Sequence, residues 1–187
     1  MNESHLIQRI AQKDEAAFKE LVEAYQHMVF NAVLHIVQDF QEAEDVAQEV
    51  FIQVYQSAAG FRGDAKLSTW LYRIAVSKAL EWQRKRKAKK RVGMLKGFLG
   101  IGNHTEELPT TFYHPGVLME QKENAALLHK AIQQLPDNQK TAFILVKAEN
   151  LSYEEAAAVL QTSVAGIEGL LHRAKQNLRN ILKQHYQ

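Results

Sequence analysis

The side chains best suited to binding chemistry lie in Arg84–Arg91, where seven of eight residues are Lys or Arg. The segment follows a stretch with a short polar loop, beginning at Phe61, and several aromatic residues. Cations attract phosphates, and aromatic side chains can stack on unpaired bases. We therefore predict that residues 61–91 bind nucleic acid that is partly single-stranded. The alternative is a solvated basic helix end or linker, which is the usual nature of a charge run.

The elements that must position these side chains are predicted to be helices. Apolar residues recur at helical spacing in residues 6–10, 18–25, 30–37 and 46–54. No segment alternates as a strand would, and no internal repeat is present. With 46% hydrophobic residues the chain can bury a core, so we predict an all-α fold.

Helix boundaries can also be predicted from capping residues. Asp39 followed by Glu42 is typical of an N-cap and its third helical residue. The helix after it has an acidic, polar face opposite its valines. Ser68 or Thr69 is expected to cap the next helix, which runs into the basic segment.

Charge is distributed unevenly along the chain, although the net charge is only +2. Residues 1–60 contain three Lys or Arg and ten Asp or Glu, a net charge of −7. Residues 61–91 contain eleven and two, a net charge of +9, and residues 92–187 contain nine of each. Such a molecule could present an acidic side to a protein and a basic side to DNA.

Composition changes at Gly93, where glycines and apolar residues replace the cations. We predict two small helical domains, residues 1–92 and 120–187, joined by a linker at residues 93–119. The linker is apolar for a tether, with Phe98, Leu99 and Ile101. These side chains either pack on a neighbouring domain or occupy a channel or groove of a partner.

The second domain contains a predicted helix-turn-helix. Ser152 and Glu155 form a capping box for a short helix with small residues. Residues 161–163 form a tight turn, and a longer helix carrying basic residues starts at Val164. This order favours DNA binding, although an ordinary helical hairpin has a similar pattern.

Several classes of protein are excluded or disfavoured. The chain has no cysteine, so disulfides and thiolate metal sites are excluded. Its eight histidines are scattered, and no phosphate loop or nucleophile motif occurs. We expect no catalytic activity, cofactor or metal. No apolar run is long enough for membrane insertion, and the N-terminus lacks the pattern of a signal peptide, so a cytoplasmic location is expected.

Four segments occur in an order that is typical of one family: DEAAFKELVEAY, AEDVAQEVFIQVYQ, FRGDAKLSTWLYRIA, and LSYEEAAAVL with SVAGIEGLLHRAKQNL. The chain thereby resembles the group IV, or extracytoplasmic-function (ECF), sigma factors of the sigma-70 family, over roughly residues 6–92 and 120–183. The resemblance implies a helical-bundle region 2 and a helix-turn-helix region 4. It implies binding to core RNA polymerase, at the β′ clamp helices and β flap, to partly single-stranded promoter DNA, and to an anti-sigma factor. Through the polymerase, the protein would associate with the nucleoid.

The resemblance also assigns roles to residues. The acidic helix matches the surface that docks on the β′ clamp helices; its candidate residues are Asp39, Glu42, Asp45, Gln48 and Glu49. The physical argument agrees, because an acidic polar face suits a basic partner. A solvated face with its caps is the alternative.

For the −10 element, the loop matches one that takes a flipped base of the non-template strand, with Phe61, Arg62, Asp64, Lys66, Ser68 and Thr69. The helix beneath it supplies Arg73, Ser77, Lys78 and Glu81, of which Ser77 and Glu81 occupy positions that often face bases. Arg84, Lys85, Arg86 and Lys87 would hold backbone phosphates without reading sequence.

For the −35 element, the helix starting at Val164 matches the recognition helix, with Ser163, Gly166, Glu168, Gly169, His172, Arg173 and Lys175. The chain departs from the family pattern at residues 168–170, where many members have a basic, a small and another basic residue. Glu168 can accept from cytosine but repels phosphates. We therefore expect region 4 to bind DNA weakly.

We predict promoter recognition as the function. Two alternatives are a sigma-like protein-interaction module that does not direct initiation, and a helix-turn-helix regulator that acts independently of polymerase. Run-off transcription separates the first alternative from the prediction. Mutation of the acidic helix tests the second.

Overall fold

The computed structural model describes the backbone of residues 3–98 and 119–183, and the side chains of residues 3–92 and 126–183. Within these ranges the regular elements are all helical, which confirms the predicted all-α fold. In chain order they are α1 (Glu3–Ala11), α2 (Glu15–Val37), α3 (Phe40–Ser57), a 3₁₀ turn (Ala58–Gly60), α4 (Leu67–Phe98), α5 (Met119–Gln133), α6 (Asp137–Lys147), α7 (Tyr153–Leu160) and α8 (Val164–Lys183).

The helices form two compact units. One unit contains α1, α2, α3 and most of α4, and the other contains α5 to α8 together with Ser68–Arg73 of α4. The domain boundaries predicted near residues 92 and 120 remain predictions. No helix in the described ranges is sufficiently long and apolar to cross a membrane.

The core of the first unit forms from the apolar stripes that the sequence predicted. The two stripes in residues 18–25 and 30–37 belong to a single helix, α2, of 23 residues. Its largest fully buried side chains pack with those of α1 and α3: Ile7, Ile10, Leu21, Val29, Val33, Ile36, Val50 and Val54. Burying one such side chain contributes roughly 1.5–3 kcal/mol, so these residues dominate the stability of the unit.

Two aspartates begin helices in the first unit. Asp14 accepts a hydrogen bond from the backbone N–H of Ala17 at 3.0 Å, and Arg9 donates to its other oxygen at 2.8 Å. The bond from Ala17, followed by that from Arg9, lowers the pKa of Asp14. Asp39 accepts from the N–H of Glu42 at 3.1 Å, which confirms the predicted cap of α3.

Helix α4 begins earlier and ends later than the sequence suggested. It starts at Leu67, so Ser68 and Thr69 lie inside its first turn, and the prediction that one of them caps it is wrong. Instead the carboxylate of Glu3 accepts from the Leu67 N–H at 3.2 Å. At its other end α4 continues through Gly93 to Phe98, six residues into the predicted linker. The remaining linker residues, Leu99 and Ile101 among them, lie outside the described residues.

In the second unit, α8 packs through one apolar stripe: Ile167, Leu171, Ala174 and Leu178. Ala131 of α5 and Leu135, two residues beyond its end, form a buried cluster with Ala174 and Leu178 of that stripe. The predicted capping box of α7 is confirmed, with Ser152 and Glu155 bonding each other's backbone N–H. The predicted turn is confirmed too, because α7 ends at Leu160 and α8 begins at Val164.

Candidate functional site

The five polar residues predicted to bind polymerase divide into two groups on α3. Asp45, Gln48 and Glu49 are exposed, and we call them the acidic face. Asp39 and Glu42 are half-buried and have structural partners: Asp39 caps the helix, and Glu42 accepts from the indole N–H of Trp82 at 2.7 Å. The acidic face is therefore the part of this surface that a partner can reach.

An exposed apolar residue adjoins the acidic face. Ile52 is 56% exposed and follows Asp45 by seven positions and Gln48 by four, so the three lie on one side of α3. Phe40, at the start of the helix, is 54% exposed. The sequence analysis missed both residues. The available signal was that Ile52 falls out of phase with the buried stripe of Val46, Val50 and Val54.

The loop predicted to capture a base lies between the 3₁₀ turn and α4. Arg62, Asp64 and Lys66 are exposed, and Phe61 is half-buried. Gly63 has φ of +77°, a conformation that L-residues rarely adopt, so the tight path of the loop depends on this glycine. At the start of α4, Ser68 is half-buried and the side chain of Thr69 is buried.

On the following turns of α4, the predicted DNA contacts Lys78, Glu81 and Lys85 all form ion pairs. Ser77 is exposed, while Lys78 and Glu81 are half-buried. Lys78 Nζ lies 3.8 Å from a carboxylate oxygen of Glu49, on the acidic face. Lys85 Nζ lies 2.8 Å from Glu81, and this hydrogen bond lowers the pKa of Glu81 and raises that of Lys85.

Arg73, a further predicted DNA contact on α4, belongs to the second unit. Its side chain is half-buried, and its Nε donates to the carbonyl oxygen of Ala158 in α7 at 2.8 Å. The η nitrogens of its guanidinium are not engaged by that bond, so Arg73 has a fixed stem and a charged end.

The basic segment at the end of α4 is anchored at its start. Gln83 is buried and donates to the carbonyl oxygen of Ile36 at 2.6 Å, which fixes α4 to α2. The guanidinium of Arg86 lies 5.0 Å from the centre of the Trp82 ring, within the range of a cation–π contact. Arg84, Lys85 and Lys87 are exposed. The helix thus carries a row of cations on a segment whose start is fixed to α2.

Helix α8 presents its predicted −35 residues mostly to solvent. Glu168, His172, Arg173 and Lys175 are exposed, and no ion pair joins them to another residue with a described side chain. Ser163 is exposed and caps the helix, since its Oγ accepts from the N–H of the third helical residue, Gly166, at 3.0 Å. Gly166 and Gly169 are half-buried. The sequence analysis had not assigned the capping role of Ser163, although a serine directly before a helix is the usual signal.

The two glycines of α8 differ in their surroundings. A Cβ at Gly166 would lie 2.5 Å from the Thr162 hydroxyl, so a side chain there requires Thr162 to move. A Cβ at Gly169 would meet only the Arg173 guanidinium at 3.8 Å, an ordinary contact. Gly166 therefore permits the close approach of the turn, whereas Gly169 is not required by packing.

No group of three or more potential metal ligands occurs among the residues whose side chains are described. The cations and carboxylates on α3, α4 and α8 instead form extended surfaces on helices. Such surfaces bind macromolecules by charge and shape.

Two family models match the chain: sigma-70 region 2 over residues 21–89, and sigma-70 region 4 over residues 125–178. The RNA polymerase sigma-H factor of Pseudomonas aeruginosa is 35% identical over 184 residues, covering 97% of this chain and 94% of that protein. The ECF RNA polymerase sigma-E factor of Escherichia coli K12 is 32% identical over 179 residues, covering 94% and 91%.

Two solved structures share the fold. CnrH, solved in complex with the cytosolic domain of CnrY, has a TM-score of 0.66 at 22% identity and covers 97% of both chains. The sigma factor RpoE, solved with the anti-sigma factor NepR from Bartonella quintana, has a TM-score of 0.64 at 23% identity. That match covers 89% of this chain and 96% of the other.

Proposed function

Because the chain belongs to the ECF sigma factors of the sigma-70 family, which are transcription initiation factors and not enzymes, we propose which of its surfaces carries out each step. The protein binds core RNA polymerase and directs it to promoters. In our proposal the acidic face of α3 with Ile52 docks on polymerase, residues 61–87 bind the −10 element, and α8 contacts the −35 element. We assign residues 1–92 to region 2, 93–119 to the linker and 120–187 to region 4.

The observation that carries the docking proposal is the composition of the exposed side of α3. Two exposed carboxylates and an amide surround Ile52, whose side chain is 56% exposed. An apolar anchor within polar residues is the usual composition of a protein-binding patch. The carboxylates also favour a basic partner surface, as the β′ clamp helices would provide.

The −10 proposal is supported by an exposed, charged loop next to a helix that is fixed to the core. The exposed side chains of Arg62, Asp64 and Lys66 lie on the loop, while α4 beneath them is fixed to α2 and α3 through Gln83 and Trp82. A base that leaves the duplex costs a few kcal/mol in stacking and pairing, which loop contacts must offset. The cations at Arg84–Lys87 would hold the phosphates on either side.

For the −35 element, α8 offers an anion near its start, followed by cations. Arg173 and Lys175 can bind phosphates, while exposed Glu168 repels them and can accept from cytosine. We propose that α8 binds upstream DNA weakly and that region 2 supplies most of the affinity. The −35 contact would then add selectivity for sequences with cytosine opposite Glu168.

The partner and location proposals follow from the same assignments. CnrH was solved with the cytosolic domain of CnrY bound, and RpoE with the anti-sigma factor NepR bound. We propose an anti-sigma factor for this chain as well, because a surface that binds polymerase must be covered when initiation is switched off. The protein would act where polymerase and promoter DNA are, in the cytoplasm.

The docking proposal is tested with charge reversal. Asp45→Lys with Glu49→Lys should weaken binding to core polymerase at least tenfold, and Ile52→Ser should weaken it by a smaller factor. Glu20→Lys with Glu23→Lys, on α2, makes the same change of charge and is the matched control. Equal affinities for core in a pull-down or titration, with unchanged helical circular dichroism, would refute docking through α3.

A further inference from the structure

The start of α4, directly after the base-capturing loop of region 2, is held in place by Glu3, which lies 64 positions earlier in the sequence. Helix α4 begins at Leu67, directly after the loop, and the N–H groups of a first helical turn have no partners within the helix. The residue before it is Lys66, whose side chain cannot accept a hydrogen bond. The N–H of Leu67 donates instead to Glu3 Oε2 at 3.2 Å, across 64 positions of sequence.

The second oxygen of Glu3 is bound as well. Tyr25 Oη in α2 donates to Glu3 Oε1 at 3.0 Å. Burial, together with the Glu3 carboxylate, raises the pKa of Tyr25 to about 12, so the phenol remains a donor. One carboxylate therefore joins α1, α2 and the first backbone amide of α4.

The rest of α1 is rigid and lies directly beside the loop. Leu6, Ile7 and Ile10 are almost fully buried, which fixes α1 to the core. A cleft of about 130 Å³ separates α1 from the loop, with Ser4 and Gln8 on one side and residues 61–63 on the other. A Cβ at Gly63 would lie 4.0 Å from the Ser4 hydroxyl, so the loop passes close to α1 at this point.

We propose that Glu3 is a positioning residue for recognition of the −10 element, which fixes the loop 61–66 and the start of α4 in the conformation that receives an unstacked base. The carboxylate also places negative charge at the N-terminus of a 32-residue helix, where the helix dipole favours it. Glu3 itself does not contact DNA in this account. The proposal rests on the assignment of residues 61–87 to −10 binding.

The test uses the full chain assembled with core polymerase, and a pool of short single-stranded oligonucleotides of random sequence from which the wild-type holoenzyme selects its preferred strand. Glu3→Ala should bind that strand roughly tenfold or more weakly than wild type, the effect of losing one hydrogen bond to a charged group. It should also lose part of the preference at the base that the loop receives. Glu3→Gln keeps an acceptor for Leu67 and should recover most of the affinity.

Glu23→Ala removes an exposed carboxylate of α2 that pairs with Lys19 on the surface, and it should bind like wild type. Amide hydrogen exchange at Leu67 gives a second readout that does not depend on DNA. Exchange at this amide should accelerate in Glu3→Ala and remain slow in Glu3→Gln. If Glu3→Ala lowers the melting temperature strongly, Glu3→Gln and the exchange measurement still decide the question.

The outcomes separate this inference from the broader proposal. If wild-type holoenzyme selects no strand, the −10 assignment itself fails. If wild type selects a strand, and Glu3→Ala binds it with unchanged affinity and base preference, the positioning role of Glu3 is overturned while the −10 assignment stands.

Discussion

The two helices assigned to DNA reading, α4 and α8, are held in place in different ways. Helix α8 is capped by Ser163, the residue directly before it. The first amide of α4 instead donates to Glu3, 64 positions earlier in the sequence. Several charges of α4 have partners within its own unit, including Lys78 with Glu49 and Lys85 with Glu81. No ion pair to another described side chain holds Glu168, Arg173 or Lys175 of α8.

The difference has a physical consequence for binding. Side chains that are already held lose less conformational entropy when a ligand binds, and about 0.5–1.5 kcal/mol per long side chain is saved in this way. In the proposed assignment, α4 would meet single-stranded DNA with several side chains already held, while α8 would order its cations on the duplex. We expect the −10 contact to be the stronger of the two.

The largest expected effect on DNA binding comes from removing the cations of α4. Changing Arg84–Lys87 to Gln should weaken DNA binding by holoenzyme more than tenfold at low salt and for all sequences. Each lost phosphate contact reduces the salt slope by roughly 0.7 on single strands, so the four changes should remove about two to three units. Salt titrations of affinity measure both quantities.

The matched variant for that comparison is Arg173→Gln with Lys175→Gln in α8. It should weaken duplex binding by a smaller factor and leave single-strand affinity unchanged. A larger loss on single strands from the α8 variant than from the α4 variant would reverse the assignment of the two helices.

A second substitution should strengthen the binding of α8 to duplex DNA. Glu168→Gln removes an exposed anion that we propose lies near phosphates, and we expect duplex affinity to rise about threefold, the result of weaker repulsion at a solvated site. Its preference at one base pair should fall at the same time, because a carboxylate can only accept from the cytosine N4 donor, whereas the Gln amide can both donate and accept. Competition assays with single-base substitutions check the result. Unchanged affinity and unchanged preference would show that Glu168 does not face DNA.

The glycines of α8 give a smaller effect on stability. Gly169→Ala should stabilise the second unit by up to about 1 kcal/mol, since alanine favours a helix interior and the added Cβ meets no close atom. Gly166→Ala should gain less or destabilise, because its Cβ would lie 2.5 Å from the Thr162 hydroxyl. Thermal unfolding of the two variants against wild type measures the difference, and equal shifts would contradict the packing described for this turn.

The smallest effect concerns pH and the bond between Tyr25 and Glu3. The pKa of Tyr25 is raised from 10.0 to about 12, so the folded state holds this proton more tightly than the unfolded state. Its contribution to stability is complete below pH 10 and is lost as pH rises towards about 12.

Tyr25→Phe should therefore be less stable than wild type at neutral pH, and the gap should narrow above pH 10. The pKa of Tyr72 is raised too, and its titration changes the stability of wild type and variant equally. Only the difference in unfolding free energy between the two proteins therefore reports on Tyr25. Denaturant unfolding at several pH values gives this difference. A gap that stays constant across the alkaline range would show that Tyr25 does not titrate as described.

The sequence predicted local features of the fold better than long-range ones. The caps at Asp39 and Ser152 were predictable because donor and acceptor lie three residues apart. The cap of α4 was not, because Glu3 is 64 positions away and a local serine and threonine offered a plausible alternative. The same limit applies to Ile52, since which side of α3 remains uncovered depends on how the other helices pack.

For the candidate site too, local features could be predicted from the sequence and long-range contacts could not. Charge and aromatic content led to the prediction of a nucleic-acid surface in residues 61–91, which stays a prediction, and the family resemblance supplied the roles. Neither could show that Thr69 is buried, that Glu42 accepts from Trp82, or that Lys78 pairs with Glu49. These contacts form only when α3 and α4 come together, so they require the structure.

The measurement that tests the account most directly is run-off transcription of genomic DNA by core polymerase, with the 5′ ends of the transcripts sequenced. Wild-type protein should produce a defined set of starts that share upstream sequence, and the Asp45→Lys, Glu49→Lys variant should lose them. The Arg84–Lys87 to Gln variant should lose them as well. Starts that do not depend on the added protein, or that survive the α3 variant at full strength, would contradict the claim that this factor docks through α3 and opens promoters through region 2.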